Sequence, residues 1–152
     1  MATKGKRGAR VMFEAVIFDC DGCLIDSEVL ALEVELGALA DVGMIYDRGE
    51  FCRRFMGLPN DAFFAALEAD RLATLGAGLP PDFRARHRLA LEKAVDERLT
   101  EVAGAAAAVA RLRLPKAVAS SSHGPFLRRK LRRAELLEVF APHVYSADDV
   151  AR

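Results

Sequence analysis

Two hydrophobic periods alternate along this chain, and the places where they switch predict its layers. "VMFEAVIFD", residues 11–19, is a nearly continuous apolar run that ends in an acid, the pattern of a buried strand. From about Ser27 to Arg98 the apolar residues recur at helical spacing instead. "SEVLALEVELGALADVG" opens on a serine cap signal and ends near Gly43, "RGEFCRRFMG" makes a short second helix, and "NDAFFAALEADRLATLG" makes a third, opened by Asn60. After the breaker "GAGLPP" a long charged helix follows, "DFRARHRLALEKAVDERL". Past Thr100 helices and strands alternate. "GAAAAVARL" predicts a short helix, "PKAVASSS" a strand running into three serines, "PFLRRKLRRAELLEVF" one further helix, and "HVYSA" a short strand.

A strand, a helical block and a resumed α/β alternation describe one α/β core with parallel strands and an all-helical insertion. The boundaries follow the change of period. Residues 1–10 form a basic tail without apolar periodicity, expected to be disordered; 11–27 and 101–152 form the core; 28–100 form the helical cap.

Composition narrows the function classes. With 152 residues and 52% hydrophobic content, the chain can bury one substantial core with a small appended module. Its 22 basic residues balance its 22 acidic ones, so no global field favours nucleic acid or an anionic membrane. No apolar run approaches bilayer-spanning length, and "MATKGKRGAR" lacks a signal-peptide core, which predicts a cytoplasmic protein. Three cysteines argue against a disulfide framework. Cys20 and Cys23 have CxxC spacing, but the acids around them would raise thiol pKa values and oppose redox chemistry.

The acids themselves carry the chemistry. In "VIFDCDGCLIDSE", Asp19 and Asp21 flank Cys20 at the end of the first strand and Gly22 follows at once. Clustered carboxylates repel unless a cation, or a reaction needing both an acid and a base, sits among them. In an open α/β sheet this loop and the run Ser120–Ser122 both lie at carboxyl ends of strands, where they can face each other. Hydroxyls and backbone N–H groups leading into a helix suit an anion, and Mg²⁺ commonly bridges carboxylates to phosphate. One carboxylate can attack phosphorus while a second carboxyl donates and later recovers a proton. Plainer roles stand beside these. Asp26 and Glu28 read as hinge and helix-start residues, Ser121 and Ser122 as helix caps, His123 as solvent-facing, Arg53 and Arg54 as an exposed pair, and "RRKLRR" (128–133) as a solvated helix face.

"DCDGCLIDSE" and "AVASSS" resemble the first and second signatures of the haloacid dehalogenase-like hydrolases, with a helical cap between them as in the sugar-phosphatase and β-phosphoglucomutase-like branch, nearest to the 6-phosphogluconate phosphatase type. The resemblance implies a Rossmann-like parallel core and a Mg²⁺-dependent phosphatase acting on a small phosphorylated metabolite, a sugar phosphate or phosphorylated sugar acid. It makes Asp19 the nucleophile and a metal ligand. Asp21 becomes the general acid/base, binding metal through its carbonyl, and Ser120 and Ser121 hold phosphate. Leu58 and Asn60 of "GLPND" contact substrate from the cap. Asp21 at the second position favours phosphoester chemistry over dehalogenation or phosphonate hydrolysis. A β-phosphoglucomutase is the alternative, weakened because its cap His and Arg would fall at Ala31 and Asn60. The family's later Lys and acidic pair are not present before the chain stops at "SADDVAR", where Asp148 and Asp149 read as turn residues. A truncated chain lacking the C-terminal part of the core is therefore expected. That expectation carries a rival from another class, an inactive fragment that at most binds phosphate or a partner.

Overall fold

The computed structural model describes residues 13–149; the predicted basic tail and residues 11–12 of the predicted strand lie outside them. The described residues form a parallel three-stranded sheet in the order β1-β2-β3: β1 Val16–Asp19, β2 Lys116–Ala119 and β3 Val144–Tyr145. Between β1 and β2 come α1 Ser27–Ala40, α2 Arg48–Phe55, α3 Asn60–Leu75, α4 Phe83–Arg98 and α5 Ala105–Arg111. β1 begins at Val16, later than the apolar run suggests, with Phe13 and Ile17 largely exposed. Parallel pairing sets Asp19 opposite Ala119, so the two strands end level with each other.

The predicted single helix over residues 125–140 is instead two, α6 Gly124–Arg133 and α7 Leu137–Phe140. Glu135 between them has φ 58°; its N–H donates to Arg132 at 3.1 Å, and the N–H of Leu136 donates to Leu131 at 2.8 Å. This paired closure ends a helix with one left-handed residue, usually glycine. Here the fully buried Leu131 and Leu136 stabilise it with a non-glycine residue, because the reversal lets Leu136 and Phe140 enter the core together.

Apolar residues divide into two clusters. One, around Val118, Leu127, Leu131 and Phe140, packs the helices on the sheet and takes in Leu30, Ala94 and Val95 from the near ends of α1 and α4. The second lies within the insertion, where Phe51 contacts Phe55 and Phe63 with ring centroids 5.1 and 6.2 Å apart. Two short segments join the clusters. The fully buried Ile25 bridges both Asp21 and Glu101, while Asp26 N–H donates to Thr100 and Val102 N–H to Leu24, each at 3.0 Å. The insertion therefore leaves and re-enters the core through one tied crossing.

Candidate active site

The acidic loop is a tight turn built on backbone bonds. Cys20 carbonyl accepts from Leu24 at 2.9 Å and Ile25 at 3.1 Å, and Gly22 N–H donates to the Ile25 carbonyl at 2.9 Å. Gly22 has φ 71°, a conformation that side chains with a Cβ rarely adopt. The turn leaves Asp19 exposed, one of its carboxylate oxygens accepting from Cys20 N–H at 2.7 Å. It also turns Asp21 inward, toward the end of β2.

Asp21 is the hub of the site. Its Oδ1 accepts from Ser27 Oγ and from Lys130 Nζ at 2.5 Å, and its Oδ2 accepts from Ser120 Oγ at 3.2 Å and Ser122 Oγ at 3.1 Å. Lys130 also donates to Ser122 Oγ at 2.8 Å, and Ser122 N–H donates to Ser120 Oγ at 3.1 Å. Burial alone would push the Asp21 carboxyl up. The Lys130 charge and the hydrogen bonds from Lys130, Ser27 and Ser122 outweigh it and hold the group below the usual carboxylate range. The neighbouring Cys20 thiol is pushed up to about 12, first by burial and then by the Asp21 charge, which removes it from thiolate chemistry.

Lys130 corrects the reading of "RRKLRR" as wholly solvated. It is only 2% exposed, its ammonium lying 5.1 Å from the Phe126 ring centroid. The signal was present in the spacing. Leu127, Lys130 and Leu131 share the inward face of α6, so a lysine there must reach a buried acceptor or lose its solvation uncompensated. Ser27 and Ser122 are the other contributors that their reading as helix caps did not bring out; Ser27 bonds Asp21, and the residue preceding α1 is Asp26. Ser121 is exposed on the same loop, and among the described residues its hydroxyl has no hydrogen-bond partner. His123 is exposed and lies 2.5 Å from Asp148, which also accepts from Gly124 N–H at 2.7 Å at the start of α6. Asp149 closes a short turn over Ala147–Asp149 by accepting from Ser146.

The oxygen donors suit a hard cation. Besides the exposed Asp19 carboxylate, the Asp21 carbonyl accepts none of the backbone hydrogen bonds of its turn. Among the described residues no group of three or more His, Cys, Asp or Glu side chains forms a metal cage. Two oxygen donors fit Mg²⁺, which keeps several waters and completes its shell with substrate phosphate.

A cleft of about 230 Å³ lies over Asp21, Ser122 and Lys130. Across Glu28, Ala31 and Leu91 it meets a chamber of about 310 Å³ in the insertion, lined among others by Leu58 and Asn60. The structure thus brings the GLPND loop to the same opening as the acidic loop.

The family model for haloacid dehalogenase-like hydrolases matches residues 13–152. The chain belongs to that family. The chain is 25% identical over 139 residues to the 6-phosphogluconate phosphatase of Escherichia coli, a match covering 91% of this chain and 62% of that protein. Among solved structures, a haloacid dehalogenase-like protein from Agrobacterium tumefaciens superposes with a TM-score of 0.77 at 28% identity, over 92% of this chain and 61% of that one. A hydrolase of the family from Deinococcus radiodurans, with bound phosphate and sodium, gives 0.72 at 32% identity over 90% and 58%. The chain thus spans about three fifths of the length of these relatives. As the sequence predicts, the described residues form an α/β parallel core carrying an inserted helical block, and no described helix is long and apolar enough to cross a membrane.

Proposed function

We propose that the whole protein is a cytoplasmic, Mg²⁺-dependent phosphatase that hydrolyses a small phosphate monoester through an aspartyl-phosphate on Asp19. The observation that carries this reading is the pairing of two unlike carboxylates at one strand end: Asp19 exposed with a single N–H donor, Asp21 held by three hydroxyls and an ammonium. An exposed carboxylate with a free oxygen is a nucleophile in position. A carboxylate fixed by hydrogen bonds is a proton carrier of fixed orientation.

In the first step an Asp19 oxygen bonds to phosphorus as the bond from phosphorus to the ester oxygen breaks, and Asp21 delivers a proton to the departing alkoxide. In the second, Asp21 as carboxylate takes a proton from water, whose oxygen attacks phosphorus; the bond to Asp19 breaks and inorganic phosphate leaves. Asp21 is ionised in the resting arrangement, so it suits the second step as it stands. For the first it must acquire a proton, and loosening of the Lys130 contact as substrate enters would raise its pKa toward that state. Ser120 and the exposed Ser121 offer hydroxyls to the phosphoryl oxygens, and Leu58 and Asn60 face the leaving group from the insertion. Asp19 and the Asp21 carbonyl would hold Mg²⁺, which supplies charge neutralisation for the approach of an anionic ester to two carboxylates.

Phosphate release from a panel of sugar phosphates, with and without Mg²⁺, tests this reading. Asp19→Asn is expected to lower turnover by at least about a thousandfold while the circular dichroism spectrum is unchanged, on the scale of losing a covalent route. Near-normal turnover by the Asn variant, with mass spectrometry excluding deamidation back to Asp, would overturn it.

A further inference from the structure

The Asp21 carboxylate is saturated. A carboxylate offers about four lone-pair sites, and four donors reach this one: Ser27 and Lys130 on Oδ1, Ser120 and Ser122 on Oδ2. The two on Oδ2 are the long ones, 3.2 Å from Ser120 and 3.1 Å from Ser122, whereas Lys130 stands 2.5 Å from Oδ1. A carboxylate with every lone pair engaged cannot take a proton from water, so one donor must withdraw before Asp21 works as a base. The bonds around each hydroxyl decide which one.

Ser120 is free to withdraw. Its Oγ accepts from Ser122 N–H at 3.1 Å, which fixes the oxygen while the O–H rotates from Asp21 toward an arriving phosphoryl oxygen. Ser122 lacks that freedom. Its Oγ accepts from Lys130 Nζ at 2.8 Å, and Lys130 is only 2% exposed, so this bond is sheltered from bulk water. Its backbone N–H is committed to Ser120, and its carbonyl accepts from Ala147 N–H at 3.3 Å. With an ammonium donating to its oxygen, the Ser122 hydroxyl directs its own hydrogen at Asp21 Oδ2. Ser122 thus touches both partners, Ser120 through its backbone and Asp21 through its hydroxyl, and is anchored independently of either.

We infer that Ser122, backed by Lys130, is a positioning residue of the phosphatase: it keeps Asp21 Oδ2 turned to the end of β2 while Ser120 passes from Asp21 to the phosphoryl group, so that arrival of phosphate itself opens the lone pair through which the proton moves. This inference rests on the phosphatase reading above and adds an order of events to it. Before substrate, four donors close Asp21. Once Ser120 holds phosphate, one site on Oδ2 is open beside the phosphoryl group, and through it Asp21 gives its proton to the ester oxygen and later takes one from water. Lys130 can loosen from Oδ1, as the first step requires, without releasing the carboxyl, because its second bond holds Ser122 in place.

The test uses the whole protein with Mg²⁺ and two esters of one shape: the sugar phosphate of the panel with the highest kcat/KM, and its analogue with sulfur in place of the bridging ester oxygen. The alkoxide needs a proton to leave and the thiolate does not, so only the oxygen ester depends on the orientation of Asp21. kcat/KM reports the steps through departure of the leaving group, which keeps hydrolysis of the aspartyl-phosphate out of the comparison. Ser122→Ala is expected to lower kcat/KM at least about tenfold for the oxygen ester and less than about threefold for the sulfur ester, with an unchanged circular dichroism spectrum. Ser122→Thr keeps a hydroxyl and is expected to recover at least half of the oxygen-ester loss on a logarithmic scale. Equal losses for the two esters would assign Ser122 to phosphate binding or to the fold, and no loss for either would leave it without a part in the reaction. Each result would overturn the inference, while turnover that Asp19→Asn abolishes would keep the phosphatase reading intact. Absence of Asp19-dependent turnover of every ester in the panel would overturn both.

Discussion

Replacing Lys130 by methionine removes the ammonium that neutralises Asp21 while keeping most of the apolar stem that packs inside α6. Lys130 is almost fully buried, whereas the Asp21 side chain is 27% exposed. Breaking a fully buried ion pair by deleting one partner costs about 3–5 kcal/mol, because the remaining charge stays desolvated. Asp21 keeps three hydroxyl donors and some water in the variant, so the expected loss is smaller, about 2–3 kcal/mol. In a domain of this size that corresponds to a drop of roughly 5–10 °C in Tm. The double variant Asp21→Asn/Lys130→Met leaves no buried charge, and is expected to recover at least half of the loss in a double-mutant cycle read by urea unfolding. The pH dependence has a definite sign. Asp21 has a lowered pKa in the folded protein, so its contribution is complete above the unfolded carboxylate pKa and disappears as acidification takes the folded group through its own lower value. The stability gap between the parent and Lys130→Met should therefore be full at neutral pH and close in strong acid. A single variant within about 0.5 kcal/mol of the parent at pH 7 would refute the reasoning, since surface pairs contribute on that scale.

The remaining expectations concern the cysteines and the insertion. At pH 8 a disulfide-exchange reagent should label the exposed Cys23 rapidly and Cys20 only after unfolding, because Cys20 is fully buried and its thiol is pushed up to about 12; simultaneous labelling of the two would contradict the turn geometry. Phe51→Ala should destabilise the insertion by about 3–5 kcal/mol, since this fully buried ring links Tyr46, Phe55 and Phe63. Hydrogen exchange should then accelerate in α1–α3 well before β2 and α6, and uniform loss of protection would mean that the two apolar clusters unfold as one.

Where local pattern and tertiary role agree, the sequence was enough. The end of the first strand at Asp19, the helical block over α1–α4 and the strand running into Ser120 were legible from their periods, although β1 exposes Ile17 where the apolar run predicts a buried strand. The break between α6 and α7 was not, since it uses Glu135 in a left-handed conformation where a glycine would have announced it, and its cause is the long-range burial of Leu136 and Phe140. Lys130 was hidden among five other positions of a charged run, four of them arginines, and only its register with Leu127 and Leu131 marks it as inward. Ser122 was indistinguishable from Ser121 by type. The way β2 turns into α6 decides which hydroxyl reaches Asp21, and that is a property of the folded loop.

The central claim is that Asp19 becomes covalently phosphorylated, and the most direct measurement is acid quench of the whole protein during turnover of a sugar phosphate, followed by borohydride reduction and peptide mass spectrometry. The account predicts that the acyl phosphate at Asp19 is reduced to homoserine in the peptide containing residues 16–28, in the unaltered enzyme and not in Asp19→Asn. Turnover in the same sample without modification of Asp19, or with the modification at Asp21, would contradict it.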